Sequence, residues 1–490
     1  MLDTAPPQVD SGSSCADMCS YREHSTELPT TRSELGMADA GGYPSGAGSD
    51  EQRQLAMSEA LFGRSVSRRS MLRGAGAGAA LFAGGMLLEA CSSGLKGGGS
   101  SGSSKKITIG FVSPLTGDLA GFAVADQFVI DTIRKTPAFS NGIKIGGSTY
   151  TVDIVVKDSQ SSTNRASQVA RELITGNNAD MILVTSTPEV TNPVASVCES
   201  LRTPCVSTVV PWESWYFGRG AKPGTTFQYT TTFFFGVPEF GECFIPMWNR
   251  IPNDKVVAGM FPNDADGNAF RQGWPPLVTP AGYTLVDGGA YPDGTTDYTS
   301  MITEFKQRKC DIFVNGPLPP DFNVMWKQAA QQGYKPKLAT VAKVLLFPAD
   351  LVALGPLATN IATDSWWTPT WPGTSSLDGT TPKQLADSFE SSVGNQWTQT
   401  LGSTYALFEV AYEAFKKVDD PHDHSAVAAQ LRGMNLPNTM DGPLDFTNGP
   451  APGVAIVKPA GAQWQKGTGK YPFDFVIVDN SANKKVPIGG

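Results

Sequence analysis

The feature that most constrains the fold of this chain is a regular alternation of short apolar runs with helical patterns, beginning at Lys105. The runs "KITIGFV", "TVDIVVKD", "ADMILVTS" and "PCVSTVV" follow one another as candidate strands. Between two of them, apolar residues recur at helical spacing at Ala166, Val169, Ala170, Leu173 and Ile174. Strands that alternate with helices predict a parallel sheet covered by helices on both faces.

The pattern breaks at "QYTTTFFFG" and then starts again with "KVVAGMF", "YTLVDGGAY", "CDIFVNG" and "KLATVA". One helical segment of this second set has an apolar stripe at Phe322, Met325, Trp326, Ala329 and Ala330, and Gly333 is suited to end it. The sequence therefore predicts two similar α/β units in tandem, followed by a further helix and a closing β-hairpin region.

The residues before Lys105 resemble an export signal rather than part of a domain. Arg68 and Arg69 precede an uncharged stretch from Gly74 to Leu88, which is the layout of a twin-arginine signal. The stretch ends in "LEAC", which is similar to the lipobox of bacterial lipoproteins, although Glu89 departs from it. We expect Cys91 to be the lipidated first residue of the mature protein. The alternative is a buried glycine-rich helix with an incidental cysteine.

This interpretation divides the N-terminal part into three segments. Residues 1–56 are polar, lack apolar periodicity and are expected to be a disordered extension, with translation beginning at Met57 as our hypothesis. Residues 57–90 form the signal peptide, and residues 91–104 form a Gly/Ser tether.

Charge and cysteine content narrow the function classes. The chain has a formal net charge of -8 and no basic excess, so we do not expect a nucleic-acid partner. Outside the cytoplasm, the even set Cys198, Cys205, Cys243 and Cys310 favours disulfides. Cys198 with Cys205 is the candidate pair, because one lies near a helix end and the other opens the next strand; two buried free thiols are the alternative.

Catalytic and metal signals are weak. A metal site from Asp419, Asp420, His422 and His424 is conceivable, but a solvated loop with a helix cap is the simpler interpretation. The G-x-S-x-G match at Gly98 to Gly102 lies in the tether, without the strand-turn-helix context of a nucleophile elbow. We therefore predict no enzyme activity, no cofactor and no metal. A surface hydrolase would lack a usable base.

Ligands of open α/β sheets bind beyond the carboxyl ends of the strands. In this chain those ends carry "SPLTGDLAGF", "TSTPEV", "VVPWESWYF", "FPNDADGNAF" and "VAKVLLFP". This mixture of hydroxyl, aromatic and charged residues is typical of a pocket for one small, partly apolar ligand.

The order of these motifs resembles a known family. "IGFVSPLTGDLAG", "VDIVVKDSQSSTNRASQVARELI", "MILVTST" and "DGTTDYTSMITEFKQRKCDIFVNG" are similar to the type I solute-binding proteins of ABC importers, in the Leu/Ile/Val-binding group. The resemblance implies an α/β fold of two Rossmann-like lobes with parallel sheets, joined by three hinge crossings and closing on a ligand. The crossings would fall near Tyr229–Phe235, Thr363–Trp367 and Leu444–Asn448. Lobe I would comprise 105–232 plus 364–447, and lobe II 233–363 plus 448–490.

The resemblance also implies a ligand site. Hydroxyls and backbone that hold a ligand carboxylate correspond to Ser186, Thr187, Thr208 and Val209, while two tyrosines of the family correspond to Phe122 and Asp266. The carboxylate that grips a ligand ammonium corresponds to Ala342 or Lys343, so recognition of aliphatic amino acids is not implied at this position. Further candidates at the cleft are Trp212, Trp366 and Trp367, for which packing at the hinge is the alternative.

Lys343 could offer a cation to an anionic ligand, or be a surface lysine. The expected function is that of a monomeric, lipid-anchored substrate-binding protein that passes its ligand to the permease and ATPase of an ABC importer. The ligand would be amino acid-like, or a carboxylate or amide with an apolar or aromatic body. A ligand sensor that uses the same fold is the alternative.

Overall fold

Two seven-stranded sheets flanked by helices form the framework of the protein. The computed structural model describes residues 105–359 and 361–489. The twin-arginine pair Arg68 and Arg69, the lipidation candidate Cys91, and the predicted extension and tether lie outside the described residues, so these assignments stay predictions.

Strands and helices alternate along most of the described chain. Its first part contains β1 (Lys106–Ser113), α1 (Asp126–Lys135), α2 (Pro137–Ser140), β2 (Ile143–Ile145), β3 (Ser148–Asp158), α3 (Thr163–Thr175), β4 (Met181–Thr185), α4 (Pro188–Leu201), β5 (Cys205–Thr208), α5 (Trp212–Tyr216) and β6 (Thr230–Phe233). The middle part contains α6 (Val237–Trp248), β7 (Val256–Met260), α7 (Ala265–Gly273), α8 (Pro275–Val278), β8 (Thr284–Asp287), α9 (Thr299–Gln307), β9 (Ile312–Asn315), α10 (Pro319–Gln331), β10 (Leu338–Val341), α11 (Pro348–Leu354) and β11 (Ala362–Ser365). The last part contains α12 (Pro382–Val393), α13 (Thr400–Lys416), α14 (His424–Arg432), β12 (Asn435–Leu436), β13 (Leu444–Asp445), β14 (Val454–Ala455), β15 (Ala460–Lys466) and β16 (Phe473–Asp479).

The two sheets repeat one topology. The first has the order β14-β6-β5-β4-β1-β3-β2, and the second has the order β16-β15-β11-β10-β9-β7-β8. Each sheet contains five parallel strands in the doubly wound order. In the first sheet, β3 pairs with one side of β1, and β4, β5 and β6 follow on the other side. In the second sheet, β8 pairs with one side of β7, and β9, β10 and β11 follow on the other side. Antiparallel strands β2, β15 and β16 lie at the edges. This arrangement confirms the predicted fold of two α/β lobes.

Local sequence explains why the elements form where they do. Every residue of β4 and β9 is buried, as expected for central parallel strands covered on both faces. Helix α3 begins after Ser162, whose Oγ accepts a hydrogen bond from the Arg165 amide at 3.4 Å. Its predicted apolar stripe is buried except for Ile174, which is partly buried. No helix among the residues described has the length and apolarity to cross a membrane.

The chain passes between the sheets three times: between β6 and α6, between β11 and α12, and between β14 and β15. The third passage lies later than the predicted Leu444–Asn448, because Val454 in β14 still pairs with Thr232 in β6 of the first sheet. Likewise, β11 extends to Ser365 in the second sheet, beyond the predicted end of that lobe segment at residue 363. Strand pairing is non-local, so the short apolar run of β14 does not reveal its partner sheet.

The predicted disulfide between Cys198 and Cys205 is absent from the structure. Both residues are fully buried free thiols, and Cys243 and Cys310 are free as well. Burial raises the pKa of the Cys198 thiol well above its usual range, and a hydrogen bond with Cys205 adds to this effect. The two buried thiols pack between α4 and β5 as small apolar side chains.

The histidines near α14 contact a carboxylate rather than forming a ligand set. Nδ1 of His422 lies 2.6 Å from Oδ1 of Asp180, and Nδ1 of His424 lies 3.2 Å from the backbone oxygen of Arg202. The Asp423 side chain caps α14 by accepting from the Ala426 amide. Within 105–359 and 361–489, no group of three or more His, Cys, Asp or Glu side chains is arranged to hold a metal ion.

Asp126 makes a testable contribution to the pH dependence of stability. It is fully buried and accepts hydrogen bonds from Ser113 at 2.6 Å and from Thr404 at 3.0 Å, and burial raises the pKa of its carboxyl to about 7. Since an unfolded aspartate titrates near 3.9, the folded chain binds the extra proton between these values, and the free energy of unfolding falls as the pH rises through this window.

In the wild type, this carboxyl should lower the free energy of unfolding by up to about 4 kcal/mol between pH 4 and pH 8. We expect Asp126→Asn to remove this decrease. Urea unfolding at several pH values measures it. Asp153→Asn is the control, because Asp153 is in a half-exposed ion pair with Lys106. An unchanged slope in the Asp126 variant would contradict the assignment.

Candidate functional site

A cavity lies where the carboxyl ends of strands from both sheets converge. Residues of both lobes and of the crossings between them line it. Its apolar lining residues are Phe122, Val209, Pro211, Phe234, Phe240, Phe270, Ala342, Leu346 and Trp366. Its polar lining residues are Thr187, Asp266, Lys343 and Asp364. A concave, mostly apolar space with a few polar groups is typical of small-molecule sites.

Equivalent strand ends of the two lobes contribute residues with unusual backbone conformation. Val209 follows β5, and Lys343 follows β10, which is the corresponding strand of the second sheet. Their φ angles are 61° and 68°, in the left-handed region that a β-branched valine rarely adopts. Such strain is retained where the surrounding structure enforces it, and it is concentrated at functional sites.

The charged part of the cavity is centred on Lys343. Its Nζ lies 2.8 Å from Asp266, 3.2 Å from Glu189 and 3.5 Å from Asp264. The side chain of Lys343 is 7% exposed and that of Asp266 is 2% exposed, so this cluster is shielded from water. The ammonium is therefore already surrounded by three carboxylates.

This cluster connects the two lobes. Glu189 is in the first turn of α4, which packs on the first sheet, whereas Lys343, Asp264 and Asp266 belong to the second lobe. Asp264 caps α7 by accepting from the Gly267 amide at 2.6 Å. The ion pair between Glu189 and Lys343 thus connects the two lobes beside the cavity.

Burial and mutual charge shift the pKa values of these groups. Burial raises the pKa of Asp266 to about 7, although the charge of Lys343 opposes this shift. Burial alone would lower the pKa of Lys343, but the three carboxylates outweigh it and hold that pKa well above its usual range. Burial would likewise raise the pKa of Glu189, but Lys343 outweighs it and lowers that pKa. Burial also raises the pKa of Asp364 to about 7. Lys343 and Glu189 therefore form a charged pair at neutral pH.

The structure brings six of the ten residues proposed from the sequence to this cavity. They share the lining, and are Phe122, Thr187, Val209, Asp266, Lys343 and Trp366. Their contact with a ligand stays a prediction.

The other four are not on the lining of this cavity, and their contact with a ligand likewise stays a prediction. Thr208 donates from Oγ1 to the backbone oxygen of Phe233 at 2.8 Å, and Ser186 is fully buried beside it. Trp212 packs against Phe217 with ring centroids 5.9 Å apart. Trp367 is fully buried and packs against Trp397, with ring centroids 6.0 Å apart.

The structure also adds residues that sequence reasoning missed. Phe240 and Phe270 lie in helices, where an aromatic residue gives the same pattern whether it faces the core or a cavity. Asp364 lies in β11 and lines the cavity. Glu189 lies in the strand-end segment "TSTPEV", three residues after the predicted strand, and this position could have identified it.

Comparison with known proteins gives a consistent result. The sequence pattern of the family described as periplasmic binding protein matches residues 106–468. A leucine-binding protein of Thermotoga maritima is similar in structure, with a TM-score of 0.60 and 15% identity over 76% of this chain and 98% of that chain. A solute-binding protein of an ABC transporter from Rhodopseudomonas palustris, in complex with 3,4-dihydroxybenzoic acid, has a TM-score of 0.58 and 17% identity over 77% and 99%. A branched-chain amino acid transporter substrate-binding protein from Streptococcus pneumoniae, in complex with isoleucine, has a TM-score of 0.59 and 17% identity over 76% and 100%. At these identities the likeness establishes the fold.

Proposed function

We propose that this chain, which belongs to the periplasmic binding protein family, is the substrate-binding component of an ABC importer. It captures a small organic solute between its lobes outside the cytoplasm and delivers it to the permease. The observation that carries the proposal is a cavity lined by both lobes and by the crossings between them. Closure of the lobes at such a position buries a ligand without any chemical step.

The lining supports an apolar or aromatic ligand body. Phe122 belongs to the first lobe, and Trp366 directly follows β11 at the second crossing. Phe240 and Phe270 line the cavity from helices α6 and α7 of the second lobe. Aromatic side chains of this kind bury large apolar area and favour flat partners. Amino acid-like solutes and small carboxylates or amides with an apolar body are the classes that the sequence indicates.

Anchoring and export belong to the same proposal. The twin-arginine pair Arg68 and Arg69, followed by an apolar run and Cys91, supports export and lipid anchoring of a monomer at the cell membrane. The Gly/Ser-rich composition of segment 91–104 is typical of a tether that would let the lobes reach a permease. The partners are then the ligand, the permease with its ATPase, and the membrane through the lipid.

A sensor that reports ligand occupancy is the second candidate, because the same closure would signal to a membrane partner. Uptake of a labelled ligand by a deletion strain separates the two functions. A transport component is required for uptake, whereas a pure sensor leaves uptake intact once the importer is expressed independently.

Thermal denaturation of the purified full chain against a solute panel tests the binding function. A solute that binds only the folded form raises the melting temperature, by an amount equivalent to about 2.7 kcal/mol at a concentration of 100 times its Kd. We expect Phe122→Ala to abolish the rise, because Phe122 lines the cavity. Phe217→Ala is the matched control, since Phe217 is 44% exposed. A panel without a single binder, or equal effects of the two variants, would contradict the proposal.

A further inference from the structure

The ionic groups of the cavity are unbalanced toward negative charge. Lys343 is the single basic residue on the lining, which belongs entirely to the described part of the chain, and Asp266 and Asp364 share that lining. Glu189 and Asp264 contact the same ammonium from behind. The ammonium of Lys343 therefore contacts three carboxylates, a fourth carboxyl group lies on the same lining, and no uncommitted cation is left on this lining for an anionic ligand.

The helix N-termini near the cavity are also occupied. In α4, Pro188 has no amide hydrogen, and the Val190 and Thr191 amides donate to the backbone oxygen of Thr187. In α7, the Gly267 amide donates to Asp264. Groups of the protein itself, a backbone oxygen at α4 and a carboxylate at α7, thus accept from amides that could otherwise attract a ligand carboxylate.

The cavity lining also includes a hydrogen-bond acceptor that has no partner among the described residues. Oδ1 of Asp266 is buried and has no hydrogen-bond partner among the described residues, while its Oδ2 contacts Lys343. A buried polar atom that lacks a partner costs free energy, and a ligand that donates to it recovers that cost. The Trp366 indole nitrogen, likewise unpartnered within this part of the chain, offers one neutral donor to the ligand.

We propose that the ligand of this cavity carries an N–H donor on an apolar body and has no carboxylate, so that it is an amine or an amide. The nitrogen donates to Oδ1 of Asp266, and the body lies among the aromatic residues. A free carboxylate is excluded because it would be buried beside Asp266 and Asp364 without an uncommitted cation. This inference rests on the proposed binding function and names its ligand class.

Four compounds with one phenyl body test the inference by calorimetry on the full chain: 2-phenylethylamine, 3-phenylpropanamide, phenylalanine and 3-phenylpropanoate. We expect the amine or the amide to bind at least tenfold more tightly than either compound with a carboxylate. The leucine-like series of 3-methylbutylamine, 4-methylpentanamide, leucine and 4-methylpentanoate repeats the comparison with an aliphatic body. The amine and amide arms distinguish a cationic from a neutral donor.

The Asp266→Asn variant should weaken binding of the preferred compound at least tenfold, because an amide in the same shape accepts less strongly than a carboxylate. Asp153→Asn is the control with unchanged affinity, since Asp153 lies in an ion pair on β3, outside the cavity lining. Tighter binding of a compound with a carboxylate, or an unchanged affinity in Asp266→Asn, overturns the inference and leaves the proposed function standing. Absence of binding by every compound and by the wider solute panel overturns both.

Discussion

The Lys343→Met variant is expected to lose about 3–5 kcal/mol of unfolding free energy, as is typical when one partner of a buried ion pair is removed. Methionine keeps the length of the stem, but it leaves Glu189, Asp264 and Asp266 close together without a cation. Lys343 is 7% exposed, so water does not compensate the three carboxylates. Urea unfolding of both proteins at pH 7 measures the loss.

The sign of the pH dependence provides a second readout for this variant. Without Lys343, burial raises the pKa values of Glu189 and Asp266 in the folded protein, so these two carboxyls bind protons more readily than in the unfolded chain. The deficit relative to wild type should therefore shrink as the pH falls from 8 to 5. Glu189→Gln in the same chain should restore part of the stability, because it removes one of the repelling charges.

The matched control is Lys337→Met. Lys337 is also paired, at 2.9 Å from Asp311, but its side chain is 50% exposed. An exposed pair contributes at most about 1 kcal/mol. Equal losses in the two variants, or a deficit at Lys343 that does not change with pH, would refute the buried cluster as the cause.

The Trp367→Ala variant is expected to lose about 3–5 kcal/mol of unfolding free energy, which is the usual cost of deleting a large buried aromatic side chain. Trp367 is fully buried, and its indole lies against Gly402 of α13 so closely that a Cβ at Gly402 would overlap the ring. Gly402→Ala should therefore cost about 1–3 kcal/mol through overpacking. Gly469→Ala should be neutral, because a Cβ at that position meets no atom within 4 Å.

Conservative variants separate packing from ligand contact at this pair. Trp366 lines the cavity and Trp367 does not, so Trp366→Phe should weaken ligand binding while Trp367→Phe retains it. Calorimetry with whichever solute binds best gives the comparison. Loss of binding in Trp367→Phe alone would show that the two residues have been assigned to the wrong sides.

Periodicity in the sequence was sufficient to predict the two lobes. The apolar spacing of α3 depends only on neighbouring residues, and the structure confirms the helix. Alternation of strands with helices then left few topologies, because crossover connections between parallel strands have one hand. The strand-end segments identified the edge at which the cavity lies.

Residue roles within that edge required the tertiary structure. Trp366 and Trp367 are adjacent in the chain and have the same composition signal, yet one faces the cavity and the other faces α13. Phe240 and Phe270 have the spacing of ordinary helix core residues. Sequence reveals that such a side chain will be buried, but the space beside it depends on how two lobes meet.

The sequence by itself determined the elements, their grouping into two α/β lobes and the position of the ligand edge, because these follow from local periodicity and short connections. The tertiary structure decided the pairing of β14 with β6 and the enclosure of Lys343 by three carboxylates. The partners in these contacts are distant in the chain. Charge balance at Lys343 depends on Glu189, 154 positions earlier, and only folding brings these two groups within 3.2 Å.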